Sequence, residues 1–146
     1  MYKRHKVSSA VCMALTIAGT FFLGIDYASI AEIAITVVAI TLAVYTSVAS
    51  VLIGNPYAHK MKKVRDSEVK TKTSLGVIAS YLRGAGLCST ATIVISTIYL
   101  FEVDGIRNPT IYQVCSSLAC GLFAVNILFM WLVFKFLVNT LTKAAE

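Results

Sequence analysis

Four long apolar runs, separated by connectors of alternating charge, constrain this chain more than any motif. They cover residues 7–25, 33–53, 82–101 and 112–134, and each approaches the roughly 20 residues a helix needs to cross a bilayer. The segments around them differ sharply in charge. The start carries Lys3, Arg4 and Lys6; the connector 54–81 and its junction with the third run carry Lys60, Lys62, Lys63, Arg65, Lys70, Lys72 and Arg83; the end carries Lys135 and Lys143. The other two connectors hold Asp26 and Glu32, then Glu102 and Asp104 against Arg107. All of the 13 basic residues except Arg107 therefore fall on one side of a four-span arrangement. The positive-inside rule places both termini and the middle connector in the cytoplasm. The expected fold is all-α: one integral membrane domain, a bundle of four transmembrane helices, with an amphipathic cytoplasmic helical extension between spans two and three.

Composition closes off the soluble alternatives. The chain is 58% hydrophobic with a mean hydropathy of +0.78, against about 45–50% apolar residues in soluble domains. Four helices greasy on every side have no interior to hide in at 146 residues. The formal charge of +6 is a topology signal, and no nucleic-acid partner is expected. Seven basic residues in and beside the middle connector face only Asp66 and Glu68. Held near anionic lipid, each contributes about 1 kcal/mol, so this segment is expected to lie on the cytoplasmic leaflet. The first run has a basic start and a Ser29-Ile30-Ala31 sequence after it. At about 19 residues it exceeds the usual signal-peptide core, and retention as a true span is the expectation. Cys12, Cys88, Cys115 and Cys120 lie in or at the edge of spans, without C-x-x-C spacing or a neighbouring His, so packing residues are expected rather than a zinc site.

Small and hydroxylic residues recur at helical spacing and mark where helices in lipid approach. Span one carries Ala10, Ala14 and Ala18; span two Thr36, Ala39, Ala43, Thr46 and Ser50; span three Ala85, Ser89, Thr92 and Ser96; span four Ser116, Ser117, Cys120, Gly121 and Ala124. On this reading Ala43 and Gly121 are close contacts, while Ile35, Val38, Leu42 and Leu52 face lipid, as does the bulky inner half of span four, Leu128 to Phe134. The competing reading has Ser and Thr bonding back to their own carbonyls. Gly54-Asn55-Pro56 ends span two, and an amphipathic helix over residues 58–69 follows, loosened by Thr71, Thr73 and Ser74. Starting the lipid-crossing part of span three at Tyr81 leaves Arg83 at the headgroups. That placement is preferred, because a mid-membrane arginine costs at least about 2.5 kcal/mol. Trp131, Tyr27 and Tyr99 are expected interface anchors.

No catalytic constellation and no cofactor motif is present. His5 and His59 stand in basic segments, where a lone histidine is expected to have no particular role. Asn126, midway along span four, is either a clamp between helices or a hydrophilic point on a path. Thr46, Ser50, Ser89, Thr92 and Asn126 form the candidate polar path or interhelical contact, and Lys60, Lys62, Lys63, Arg65, Lys70, Lys72 and Arg83 the candidate surface for anionic lipid or a partner. No ionisable residue lies deep in a span, which argues against a proton-coupled pump. A bundle this small closes around its side chains, so conduction requires a homo-oligomer or a tight polar seam.

In layout, the chain resembles the four-span Rex exclusion proteins of lambdoid phages, the RexB type. Leu52-Ile53-Gly54 closes span two, Lys62-Lys63-Val64-Arg65 follows in a basic run, and Asn139-Thr140-Leu141-Thr142 follows the last span. The resemblance covers about a third of the chain, and Glu102, Asp104 and the Gly54-Asn55-Pro56 stop depart from it. It implies an inner-membrane ion channel that depolarises the cell when a cytoplasmic activator senses an invading phage, with residues 58–83 as the docking surface. A holin-like pore former and a non-conducting adaptor subunit are the rival readings. Topology is directly testable: reporters fused at His5, Ser67 and Glu146 should read cytoplasmic, and those at Ser29 and Asn108 external. An external signal at Ser67 would remove the basis of the charge argument.

Overall fold

The computed structural model describes residues 2–54, 73–101 and 109–145, and all regular structure among them is helical. Helix α1 (Lys3–Leu23) stops at Gly24, whose left-handed φ of 63° turns the chain over. A short 3-10 turn, Tyr27–Ile30, is capped by Asp26, which accepts from the Ala28 amide. It feeds directly into α2 (Ala31–Gly54). Helix α3 (Ser74–Leu100) begins at Thr73, whose hydroxyl accepts from the Gly76 amide; this threonine caps a helix where the sequence suggested a loosened segment. Helix α4 (Pro109–Ala145) opens on proline, at the position where a missing amide hydrogen is harmless. All four are long and apolar enough to cross a membrane, which makes this a membrane protein of four candidate spans. At 37 residues α4 is about 55 Å long and outlasts a bilayer. The expected amphipathic helix over 58–69 and its lysines lie outside the described residues.

The helices are arranged as a row rather than a closed bundle. Helix α1 lies along α4, α4 along α3, and α3 along α2, while α2 touches α4 only lightly. The core sits between α2, α3 and α4, and no residue of α1 is fully buried. This corrects the expectation of four helices closing on one another.

Two of the four expected seams face outward. Ala10, Ala14 and Ala18 are exposed on α1, and Thr36, Ala39, Ala43, Thr46 and Ser50 are exposed on α2. The buried stripe of α2 is Ala31, Ala34, Val38, Thr41, Tyr45 and Val48, so Val38 packs inside instead of facing lipid. The reason is volume. The facing helix α3 presents Ala85, Ser89, Thr92 and Ser96, each at most 1% exposed; the larger Val38, Tyr45 and Val48 of α2 supply bulk along this seam, while Ala31 and Ala34 let the helices come close near the acidic end. The hydroxyls on the outer face of α2 are satisfied locally: Thr36 donates to Glu32 O, Thr46 to Ala43 O and Ser50 to Thr46 O. The same rule governs α1 on α4. A Cβ on Gly121 would fall 2.7 Å from Ile17 Cγ1 and 3.4 Å from Met13 Cγ, so Gly121 is a close contact. Toward the end of α4, Phe129, Leu132 and Val133 join the core with Tyr45, Val77 and Tyr81, whereas Met130, Trp131 and Phe134 are exposed.

Aromatic layers mark the two ends of the row. Tyr2, His5, Tyr81 and Phe136 meet at the basic end, with Tyr81 and Phe136 ring centroids 4.9 Å apart. Tyr27, Tyr99 and Tyr112 meet at the acidic end. Tyr81 and Tyr99 are separated by about 27 Å of helix, close to the roughly 30 Å of a hydrocarbon core. Arg83 is exposed and about 3 Å deeper than Tyr81, a depth from which its guanidinium reaches the headgroups. At the same end Lys135 Nζ stands 5.1 Å from the Trp131 ring centroid.

Ile17 is β-branched and stiff in its helix, and its Cγ1 cannot easily give way. Gly121→Leu is expected to lower stability in detergent by about 1–3 kcal/mol, while Ala43→Leu, on an exposed face, should change it by no more than about 0.5 kcal/mol. Thermal melts of the two purified variants check both.

Candidate functional site: a polar file through the helix core

Along α3 the positions 81, 85, 89, 92, 96 and 99 are spaced by three or four and so share one face. Except for Ala85, each carries a polar atom. The packing of α2 and α4 against that face closes those atoms into a line through the protein.

At its centre are three of the residues singled out from sequence. Ser89 Oγ donates to Asn126 Oδ1 at 3.1 Å, and Asn126 Nδ2 donates to Thr92 Oγ1 at 3.4 Å. Thr92 in turn donates to the Cys88 carbonyl at 2.8 Å. All three side chains are at most 2% exposed, about 12–17 Å of helix from Tyr81. Asn126 thus clips α4 to α3 with both functions of its amide engaged.

Toward the acidic end the line continues through Tyr27. Its hydroxyl lies 2.6 Å from Ser96 Oγ, its amide donates to Ser116 Oγ at 2.6 Å, and Ser116 donates to the Ile25 carbonyl at 3.2 Å. Tyr27 is fully buried, so it is a plug between α3 and α4 rather than an interface anchor. Its position follows from Gly24 and the Asp26 cap, which turn the chain inward. Beside it Tyr99 Oη is buried with no hydrogen-bond partner among the described residues. Tyr112 Oη donates to the exposed Asp26 carboxylate at 2.8 Å and ends the line.

Toward the basic end stand Thr41 and Tyr45. Thr41 donates to Val37 O at 2.6 Å and approaches Met130 Sδ at 3.6 Å. Tyr45 Oη is buried among apolar groups, again with no partner among the described residues. Tyr45 packs in one cluster with Tyr81 and with Cys88, whose thiol donates to the Leu122 carbonyl. Tyr81 Oη accepts from the Tyr2 amide at 3.0 Å and lies 2.5 Å from His5 Nδ1. His5 is therefore part of a half-buried cluster tying α1 to α3, not the exposed bystander expected from its basic surroundings.

Thr46 and Ser50 stand apart from this line, exposed on the outer face of α2. Arg83 is exposed on α3, and Lys60, Lys62, Lys63, Arg65, Lys70 and Lys72 lie outside the described residues. Sequence reasoning found Ser89, Thr92 and Ser96 through their period and Asn126 as an amide deep in a span. It missed Tyr27, Tyr45, Tyr81 and His5, because tyrosines near span ends read as anchors and one histidine carries no pattern. The four cysteines are free thiols, and no three His, Cys, Asp or Glu side chains among the described residues are grouped to hold a metal ion.

Searches against known protein families, characterised proteins and solved structures return no match to the chain.

Tyr27→Phe removes the hydroxyl contact with Ser96 and leaves the ring in place. The expected cost is about 1–2 kcal/mol of stability, read as a lower melting temperature in detergent. An unchanged melting temperature would show that the contact contributes nothing.

Proposed function

We propose that the protein is a small membrane-permeability effector, an ion channel of a bacterial inner membrane held closed in this conformation. The observation that supports it is the polar file: hydroxyl and amide groups run from the His5–Tyr81 cluster to the Tyr112–Asp26 pair over a length close to a hydrocarbon core. An apolar interior of the same shape would hold the helices without any such line, whereas polar groups keep water in a narrow path that an apolar constriction would dewet. Positive-inside reasoning puts the His5–Tyr81 end in the cytoplasm. The basic residues from Lys60 to Arg83 then present a cytoplasmic surface for anionic lipid and for an activator protein, in keeping with the phage-exclusion role that the Rex resemblance implies. Exposed small faces on the two outermost helices, Ala10, Ala14 and Ala18 on α1 and Ala39, Ala43 and Thr46 on α2, suit head-to-tail association of several copies. The same faces favour the second reading, a non-conducting subunit of a larger membrane complex.

Purified full-length protein in liposomes separates these readings. Ion flux measured with and without the product of the neighbouring gene should appear for the parent and fall for Asn126→Leu at equal folding. Electrically silent vesicles under every condition, with folded protein confirmed, would favour the adaptor. Flux without any partner, together with rapid lysis when a lysin is supplied, would favour a holin.

A further inference from the structure

We propose that the contact of Tyr2 and His5 with Tyr81 is a releasable strap that holds the α3–α4 seam shut at its basic end. The acidic end, around Tyr27, is then the hinge about which α1 and α4 swing together when the strap lets go. As a gate the strap rests on the permeability reading; as a movement it stands on the packing alone.

The two ends are fastened differently. At the acidic end the turn Tyr27–Ile30 touches α2, α3 and α4. Tyr27 is fully buried there, with its hydroxyl 2.6 Å from Ser96 Oγ and its amide donating to Ser116 Oγ at 2.6 Å, and both serines are fully buried as well. Breaking either bond strands a polar group in an apolar core, the costly case for a hydrogen bond. At the basic end Tyr2 and His5 are half-buried, beside the exposed Lys3 and Arg4. Both bond to one oxygen, Tyr81 Oη, at 3.0 Å from the Tyr2 amide and 2.5 Å from His5 Nδ1. Groups that water can reach exchange such bonds for bonds to water at small net cost. This is the end that releases.

The seam is weakest on the same side. From the strap inward, α4 meets α3 through apolar side chains: the Phe129 ring lies 3.6 Å from where a Cβ on Gly84 would stand, and Val125, Leu132 and Val133 share a cluster with Val77 and Ala85. Lipid tails are as apolar as these groups, so a contact of this kind has no hydrophobic drive to stay closed. Direct polar links begin deeper, at the Cys88–Leu122 contact of 3.7 Å and the Asn126 bonds of 3.1 and 3.4 Å.

What swings is set by α1. It lies along α4, with Ile17 and Met13 seated at Gly121, and its first turn crosses to α3 at the strap. Releasing that turn leaves the α1–α4 contact intact. The Tyr2 and His5 rings also pack on Phe136 of α4, with centroids 5.8 and 6.4 Å apart, so they travel with α4. The break then falls at Tyr81, where ring contacts to Phe136 at 4.9 Å and to Tyr2 at 6.1 Å are given up.

The test measures distances between spin labels on the two outermost helices, in liposomes, on the full chain freed of its native cysteines. One pair, Lys3→Cys with Val51→Cys, reads the basic end, and another, Phe22→Cys with Ile33→Cys, the acidic end; all four positions are exposed. Tyr81→Phe keeps the ring and removes the oxygen that both strap bonds use. The population at longer 3–51 distance should rise about tenfold, the shift that follows from losing two half-buried hydrogen bonds, while the 22–33 distance stays as it was. His5→Phe, which keeps a ring against Phe136, should shift the 3–51 distance the same way by a smaller factor. Tyr27→Phe should leave it unchanged. Unaltered 3–51 distances in folded Tyr81→Phe and His5→Phe would overturn the strap. So would equal widening in Tyr27→Phe, which would reduce the effect to lost stability at either end. A widened 22–33 distance in Tyr81→Phe would overturn the hinge. Ion flux through the same vesicles is read separately. Flux that rises with the longer distance supports the strap as the gate; widening without flux in any variant, with or without the neighbouring gene's product, would overturn the permeability reading and leave the strap standing.

Discussion

Lipid offers no hydrogen bonds, and the structure depends on that one constraint. A polar atom carried into the hydrocarbon region finds its partner inside the protein or on its own helix, and among the described residues the buried hydroxyls of Tyr45 and Tyr99 are the exceptions. The chain solves this in two ways at once. Hydroxyls on outward faces, such as Thr36, Thr46 and Ser50, turn back to the carbonyls of the preceding turn. Several hydroxyls on inward faces reach across: Ser89 and Thr92 to Asn126, Ser96 to Tyr27, Ser116 to the chain at Ile25 and Tyr27, while the buried Thr41 and Ser117 bond back to their own helices. The first kind leaves a helix free to face lipid. The second kind fixes register, because a shift of one residue along α3 would strand several polar groups in an apolar core.

Volume matching sets which faces meet. With no hydrophobic drive between helices in lipid, association depends on close packing and interhelical bonds. Small residues on α3 receive Val38 and Tyr45 from α2, and Gly121 on α4 receives Ile17 and Met13 from α1. At these contacts a small stripe receives larger side chains, whereas Ala31 and Ala34 of α2 meet Ala119 and Cys120 of α4, small against small.

That asymmetry explains what could be read from the sequence. Four apolar helices were legible from length and hydropathy alone, since a bilayer imposes both. The inward face of α3 was legible because Ala85, Ser89, Thr92 and Ser96 keep a strict helical period, and Asn126 because an amide deep in a span is conspicuous. The faces of α1 and α2 were not, because small residues satisfy either lipid or protein and only the volume opposite decides. Tyr27 and Tyr81 were hidden for a different reason. Tyrosines near span ends are common anchors, and only tertiary geometry distinguishes one that turns inward onto Ser96 or beneath Tyr2 from one that lies at the headgroups. The loss of a closed bundle has the same origin: helix count and loop length do not say that α1 will lie outside α4.

If the protein conducts as proposed, the row arrangement constrains how it opens. Among the described residues helix α1 lies along α4, and its first turn reaches past that helix to Tyr81 on α3 through the Tyr2 amide and the His5 ring. The cluster of Tyr2, His5, Tyr81 and Phe136 therefore straps the α3–α4 seam at one end. Asp26, bonded to Tyr112, and Tyr27, bonded to Ser96 and Ser116, strap it at the other. Between the straps the direct polar links from α3 to α4 are the two bonds of Asn126 and the longer Cys88–Leu122 contact. Parting the seam in the middle strains both straps, whereas releasing one strap lets α1 and α4 swing together as a unit, because their own contact at Gly121 is undisturbed. Lys3, Arg4 and Lys6, all exposed, flank the strap on the same turn of α1 that bonds to Tyr81 through Tyr2 and His5.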